Sequence, residues 1–334
     1  MKRITEDQLY PLLFEPIYVE IMWGGKLMKK HLKRDIPKAK NPIAEAWEIV
    51  DRKDAESIVE NGPLAGVPIN KLIKKYGKHF IGESHHDGDR FPLLVKLIDA
   101  GKRLSLQVHP DEEACKKLKG AEPKTEMWYI IAAENNGKII AGLRPNCTQH
   151  QFIEKADSRD VETCLQSFKS VPGDAYFISS GRVHAIDAGN LLLEIQQNSN
   201  TTYRISDWGR VGTDGESREL HLEQALECIN FADRSSPRIT GVSGTTTHNR
   251  KFPIINRCPF FKVDDLRLVD NWQDSTDGSS FHLLTAVDSQ IKIEGRNGDT
   301  VVKRGRTCVI PANYGKYLIK IRGKKETTVI KTTL

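Results

Sequence analysis

Residues 91–131 read FPLLVKLIDAGKRLSLQVHPDEEACKKLKGAEPKTEMWYII, and the polar residues in its two apolar runs decide how the chain folds. In the first run Leu104, Leu106 and Val108 alternate with Ser105, Gln107 and His109. Successive side chains of a strand point to opposite faces, so one face is greasy and the other presents a hydroxyl, an amide and an imidazole. In the second run Lys124, Glu126 and Trp128 share a face opposite Thr125, Met127 and Tyr129. Two polar rows on otherwise apolar strands call for a common partner. If the strands lie in one sheet, Gln107, His109 and Glu126 converge on a cation through an amide oxygen, an imidazole nitrogen and a carboxylate oxygen.

A further donor stands in the segment 181–186, GRVHAI, where His184 follows a glycine turn and opens another apolar strand. Any one of these residues, taken alone in a protein interior, is ordinarily just hydrogen-bonded; together, Gln107, His109, Glu126 and His184 read as a divalent metal site. The nitrogen and oxygen donors lack a thiolate, a set that admits zinc, manganese, iron or cobalt. The pair His85 and His86, with His79 nearby, lies in the polar stretch GESHHDGDR and reads as a solvated loop.

These segments also resemble a known family. QVHP, KTE-x-WYI, G-x-VHAI and LLLEIQQNSNTTYRISDW-x-R, in this order, with WGG at 23–25 and AEAWEI at 44–49, are similar to type I mannose-6-phosphate isomerase in its short microbial form. The resemblance implies a mainly β fold of two cupin-type β-barrels with a few short helices. It also implies one zinc ion per chain, held by Gln107, His109, Glu126 and His184, and interconversion of mannose-6-phosphate and fructose-6-phosphate. Lys96, Ser105 and Lys124 correspond to residues lining the family's substrate pocket, and Arg204 to its arginine near the reacting carbons. Two departures stand out. Ala44 and Ala46 occupy positions where glycine and serine are usual, and Asn200 stands where a carboxylate often lines the sugar site, so that side chain cannot be an acid or base.

With 334 residues the chain can bury a sizeable core and is expected to split into two domains, 1–235 carrying the metal and 236–334 a second, metal-free cupin-like unit. No apolar run approaches the ~20 residues that span a bilayer, and the first residues, MKRITEDQLYPLLF, lack a secretory hydrophobic region. The expected address is the cytoplasm, with no membrane partner. Six scattered cysteines without a C-x-x-C pair exclude a thiolate zinc site and read as free thiols. The net charge of +6 is diffuse, and short steps such as Lys29-Lys30 and Lys324-Lys325 give nucleic-acid binding little support. A small phosphorylated sugar is the expected partner, and a monomer or weak homodimer the expected assembly.

Residues 9–23, with Pro11 and Pro16, predict an extended entry and an edge strand. Residues 44–50 predict a strand bearing Glu45, Trp47 and Glu48. The spacing of Ile69, Leu72, Ile73 and Tyr76 predicts a short amphipathic helix. Residues 148–168 have helical spacing, and Leu222, Ala225, Leu226 and Ile229 predict a packed helix within 218–229. His221 beside it reads as structural. Residues 208–216 are expected to form an active-site loop, residues 233–250 a linker, and the remainder a series of short strands containing His248 and His282.

Isomerising an aldose to a ketose requires a base that moves a proton between adjacent carbons. Glu194, embedded in the apolar LLLEIQQ, is the candidate, because burial raises a carboxylate pKa. Without the resemblance, a Glu paired with a neighbouring Lys or Arg is an equal reading. Arg204 and Lys124 complete the expected catalytic set, while Lys96, Ser105, Lys124 and Arg204 form the expected substrate-binding set. Two other classes compete: an iron cupin oxidoreductase, and a non-catalytic sugar-binding cupin.

Overall fold

The fold is taken from a computed structural model that describes residues 4–334 apart from 85, 87, 159, 212–214, 243 and 324–325. His85 and the Lys324-Lys325 step therefore lie outside the described residues. Strands dominate, as expected, and they form four antiparallel sheets with a few short helices. A seven-stranded sheet runs Arg238–Ile239, Ala175–Ile178, Glu126–Ala133, Asn190–Gln197, Leu93–Ala100, Ile43–Ile49, Ile17–Glu20. A five-stranded sheet runs Tyr203–Ser206, Leu106–Val108, His184–Ile186, Lys138–Leu143, Leu165–Lys169. The C-terminal part of the chain repeats this arrangement with six-stranded and four-stranded sheets.

Period-two alternation explains how the seven-stranded sheet is buried on both faces. Leu191, Leu193 and Ile195, with Val95, Leu97, Met127 and Tyr129, join a core that also takes in Phe281, Leu283, Val309 and Ile330 of the C-terminal part. The intervening Leu192, with Ile98, Trp128 and Ile130, faces the five-stranded sheet and packs on Leu104, Ile139, Ala141 and Ile186. All eight residues of Leu93–Ala100 are buried, Lys96 and Asp99 included. The polar members of these strands thus sit between two sheets, where an unpaired charge is costly.

The two halves of the metal site do not share a sheet, yet they still converge. Leu106–Val108 belongs to the five-stranded sheet and Glu126–Ala133 to the seven-stranded one, and their polar rows meet across the gap between sheets. Near the amino terminus, Leu12–Leu13 pairs with Thr307–Ile310 in the C-terminal six-stranded sheet. Further ties join the two parts, among them Arg306 with Glu48 at 3.1 Å and Arg267 Nη2 donating to the Tyr129 hydroxyl at 3.2 Å.

Local predictions fare according to how local their cause is. The helix Ile69–Tyr76 buries Ile69, Leu72, Ile73 and Tyr76, and Ile17–Glu20 is an edge strand. The helical spacing over 148–168 yields Gln149–Asp157 and a 3-10 turn, but Leu165–Lys169 is drawn into a strand by pairing with Lys138–Leu143. The helix expected within 218–229 spans only Leu222–Cys228, because His221 has a non-helical backbone (φ −129°, ψ 51°) and is tied by its N–H to the carbonyl of Arg204 at 2.7 Å. The linker contains the two-residue strand Arg238–Ile239, pinned by Arg238 to Asp174 at 2.6 Å. All six cysteines are free thiols. Among the described residues, no helix is long and apolar enough to cross a membrane.

Candidate metal centre and active site

His184 opens the strand His184–Ile186 and stands opposite Gln107, which in turn stands opposite Arg204. The turn leading to it needs Gly181: its φ is 81°, and a Cβ there would lie 2.9 Å from the carbonyl oxygen of Cys228. Gly181 also donates its N–H to the carbonyl of His109 at 2.9 Å, tying the two histidine segments together. From the facing sheet Glu126 projects inward, fully buried.

The hydrogen bonds fix which nitrogen of each ring is free. His109 Nδ1 lies 2.9 Å from the carbonyl oxygen of Thr201, and His184 Nδ1 lies 2.8 Å from that of Arg182. A carbonyl only accepts, so each Nδ1 carries the proton and each Nε2 presents its lone pair. These two Nε2 atoms approach Glu126 at 3.4 Å and 3.5 Å. One ligand atom each from His109, Glu126 and His184 falls within 4.8 Å of the others, the one such group among the described residues.

The charge states agree with this. Burial, with Lys124 nearby, lowers the His109 pKa to about 3 against the pull of Glu126, and burial likewise lowers that of His184. Burial alone would raise Glu126, but the Lys124 ammonium beside it holds it well below the carboxylate range. Two neutral imidazoles and a carboxylate therefore meet in a dry interior. His109 Nε2 and both Glu126 oxygens lack a hydrogen-bond partner, and Lys124 Nζ reaches Glu126 Oε2 at 2.9 Å off the hydrogen-bonding direction. Orphaned buried acceptors in this geometry fit a divalent cation. Gln107 Nε2 lies 3.1 Å from His184 Nε2, and turning the amide over would offer its oxygen instead.

Above this cluster opens a cavity of about 340 Å³. Lys96, Ser105, Gln107, Lys124, Glu194 and Arg204 all line it. Strand register sets a row across the seven-stranded sheet, with Trp47, Lys96, Glu194 and Trp128 paired in succession. Trp128 donates its indole N–H to Glu194 Oε2 at 2.9 Å, and Lys96 Nζ lies 3.6 Å from Oε1. Lys96 also lies 3.4 Å from Glu45, which accepts the Trp47 indole N–H at 2.6 Å. Burial would lower the Lys96 pKa, but Glu45, Glu194 and Glu126 outweigh it and raise it. Burial raises the pKa of Glu194, and the charge of Glu126 adds to this against Lys124 and Lys96.

Other histidines stay apart. His86 is exposed, and His79 contacts Asn313 at 2.8 Å. His282 is buried against the Tyr317 hydroxyl at 2.7 Å. His221 has a structural contact beside the cavity: its Nδ1 accepts the backbone N–H of Arg204 at 3.2 Å.

Trp23, Glu45, Asn200 and Arg218 also line the cavity, and sequence reasoning did not place Trp23, Glu45 or Arg218 in the site set. WGG was the available signal for Trp23. A Cβ on Gly25 would lie 2.0 Å from Asp99 Oδ1, so the bare backbone lets Asp99 receive the Met28 N–H at 2.7 Å and seat Trp23 at the cavity wall.

The family described as phosphomannose isomerase type I, catalytic domain, matches residues 12–138. Mannose-6-phosphate isomerase ManA of Bacillus subtilis (strain 168) is 32% identical over 324 residues, which is 96% of this chain and 98% of that protein. The chain belongs to the type I mannose-6-phosphate isomerase family. A probable mannose-6-phosphate isomerase of the same organism, GmuF, is 39% identical over 223 residues, 66% of this chain and 69% of that protein. The crystal structure of the mannose 6-phosphate isomerase from Bacillus subtilis superposes with a TM-score of 0.84 at 28% identity, over 97% of this chain and 99% of that one. A putative mannosephosphate isomerase from Archaeoglobus fulgidus shares the fold, with a TM-score of 0.75 at 21% identity over 97% of this chain and 98% of that one. The mannose-6-phosphate isomerase match over 12–138 contains Lys96, Ser105, Gln107, His109, Lys124 and Glu126 but ends before His184, Glu194 and Arg204.

Proposed function

We propose that this chain is a zinc enzyme that interconverts mannose-6-phosphate and fructose-6-phosphate through an enediol. The observation that carries the reading is the convergence of His109, Glu126 and His184 next to Gln107 and Lys124, which line a cavity together with Lys96, Glu194 and Arg204. Gln107, His109, Glu126 and His184 would hold the metal. When bound, it would supply a Lewis acid that polarises the carbonyl end of the open-chain sugar.

Glu194 moves the proton between the two carbons. Trp128 holds its Oε2, which leaves Oε1 as the working oxygen, and Lys96 at 3.6 Å favours its charged form against the penalty of burial. Lys124 stays on Glu126 at 2.9 Å and supplies a donor for a sugar oxygen beside the metal ligands. Arg204 is braced by donating from Nη1 to the carbonyl of Glu219 at 2.7 Å, and faces the reacting carbons from the five-stranded sheet. Ser105 offers a hydroxyl from the same wall, and Asn200 contributes an amide and no proton transfer.

Residues 1–235 are proposed as the catalytic unit, with 236–334 as a metal-free unit that packs on its outer face. We place the protein in the cytoplasm as a monomer or weak homodimer. The test is a coupled assay with mannose-6-phosphate before and after chelation, with metal content measured in parallel. Turnover that disappears on chelation and returns with zinc is expected. No turnover by the metal-loaded protein would sink the isomerase reading, and full turnover by metal-free protein would sink the metal.

A further inference from the structure

The cations around the cavity fall into two groups that differ in how far they are already neutralised. Deep in the cavity, Lys96 lies between Glu45 and Glu194 at 3.4 and 3.6 Å, and Lys124 lies on Glu126 at 2.9 Å. Two buried carboxylates, Glu126 and Glu194, and the half-buried Glu45 face two lysines there. Around Arg204, Arg210 and Arg218 the described contacts differ. Among the described residues Asp207, almost fully buried, is the one carboxylate in ion-pair contact with both Arg210 and Arg218. Arg204 forms no ion pair among the described residues; its Nη1 goes to a backbone carbonyl and its Nε has no partner. The carboxylate of Glu219 nearby is largely exposed and contacts His221 at 3.8 Å, where water screens it.

Arg218 is the member of this group whose geometry leaves a donor face open. Asp207 takes Nε at 2.9 Å and Nη2, so the fork is held rigid on one side while Nη1 is left as the remaining nitrogen. The guanidinium borders the same cavity as Arg204. A planar arginine clamped by a carboxylate is suited to phosphate oxygens, with little side-chain freedom left to lose. A phosphate monoester carries ≈ −1.5 to −2 charge at pH 7, which suits Arg218 and the unpaired Arg204 on the cavity wall, Asp207 being shared between Arg218 and Arg210.

We infer that Arg218, clamped by Asp207 beside Arg204, is the anchor for the sugar's 6-phosphate, while Lys96 and Lys124 serve the carbonyl end. This rests on the sugar-phosphate isomerase reading above. The two lysines, each of which already faces a carboxylate, are left to the rest of the sugar.

The test compares Arg218→Met, Arg218→Lys, Lys96→Met and Lys124→Met, with bound metal and melting temperature recorded for each. The readouts are the ratio of kcat/KM for mannose-6-phosphate to that for mannose, and the Kd of glucitol-6-phosphate, which has no carbonyl and cannot be isomerised. Arg218→Met should lower the ratio and weaken glucitol-6-phosphate by about 10- to 100-fold, the range of a lost charge-assisted contact. Arg218→Lys, which keeps the charge without the fork, should fall between and serves alone if Arg218→Met does not fold. The lysine variants should lower turnover of both sugars in proportion. A parental ratio and Kd in the Arg218 variants, with the ratio falling in a lysine variant instead, would overturn the assignment. Loss of glucitol-6-phosphate binding in Arg218→Met by a parent that does not isomerise mannose-6-phosphate would keep the phosphate anchor and remove the isomerase reading.

Discussion

Trp128 and Glu194 stand directly opposite each other on neighbouring antiparallel strands, and the indole N–H reaches Glu194 Oε2 at 2.9 Å. This contact fixes one carboxylate oxygen and turns the other toward the cavity. Replacing Glu194 by Gln keeps the shape but removes the basic lone pair, so kcat should fall by ~10²–10⁴ with metal retained. Near-parental kcat would take Glu194 out of the proton transfer.

Removing the donor instead of the acceptor gives a milder, distinguishable result. Trp128→Phe leaves Glu194 in place but frees Oε2, and a lost hydrogen bond to a charged group corresponds to ~1.5–3 kcal/mol at most. A kcat lowered by roughly 10-fold, with KM little changed, is expected because the carboxylate spends less time in the working orientation. An equal rise in KM with kcat intact would assign Trp128 to sugar binding.

His109 and His184 each have their Nδ1 proton committed to a backbone carbonyl, so the ligand-ready nitrogens exist before any metal arrives. His109→Ala and Gln107→Ala should therefore reduce zinc affinity by at least ~10-fold while leaving the strand content by circular dichroism intact. Parental metal content in both variants, measured after dialysis against a weak chelator, would contradict the ligand set.

Asp99 offers a test of stability rather than activity. It is fully buried, and burial raises its pKa to about 6 against the hydrogen bonds from Met28 and Leu27. The folded state therefore binds this proton more tightly than the unfolded chain does. Stability from this group is present below about pH 4 and is lost as pH rises through about 6, a total of order 2–3 kcal/mol. Asp99→Asn should remove that decline, so its stability relative to the parent grows between pH 4 and pH 7 in urea unfolding. A constant difference across that range would exclude the linkage.

Gly25 is the companion of Asp99. A Cβ at this position would lie 2.0 Å from Asp99 Oδ1 and 3.0 Å from the Gly101 nitrogen, so something must move. Gly25→Ala should cost about 1–3 kcal/mol, the range of overpacking, and displace Trp23 from the cavity wall. An unchanged melting temperature would show that the loop yields freely.

The sequence alone determined most of what depends on short-range periodicity, but not Leu165–Lys169, where pairing with Lys138–Leu143 overrode a helical spacing. Alternation in LSLQVH and KTEMWY put Gln107, Lys124 and Glu126 on polar faces, and those faces are what the cavity and metal cluster use. Lys96 and Glu194 stood out because a charge inside an apolar strand must find a partner. The family motifs, spread in order along the chain, carried the fold and the type of reaction.

The tertiary structure decided what depends on residues distant in sequence. That Leu106–Val108 and Glu126–Ala133 lie in facing sheets, not in one, is set by pairings to strands 70 or more residues away, His184 with Gln107 and Gln196 with Glu126. A two-residue strand such as Leu12–Leu13 carries no periodicity of its own, and joins the C-terminal sheet only because Thr307–Ile310 offers an edge. Arg218 and Asp207 sit in a glycine-containing stretch with no regular pattern, where sequence marks a loop but not the direction of a guanidinium. Their pairing depends on the fold bringing Arg204 and Arg218 to one cavity wall with Asp207 on Arg218, which no local pattern encodes.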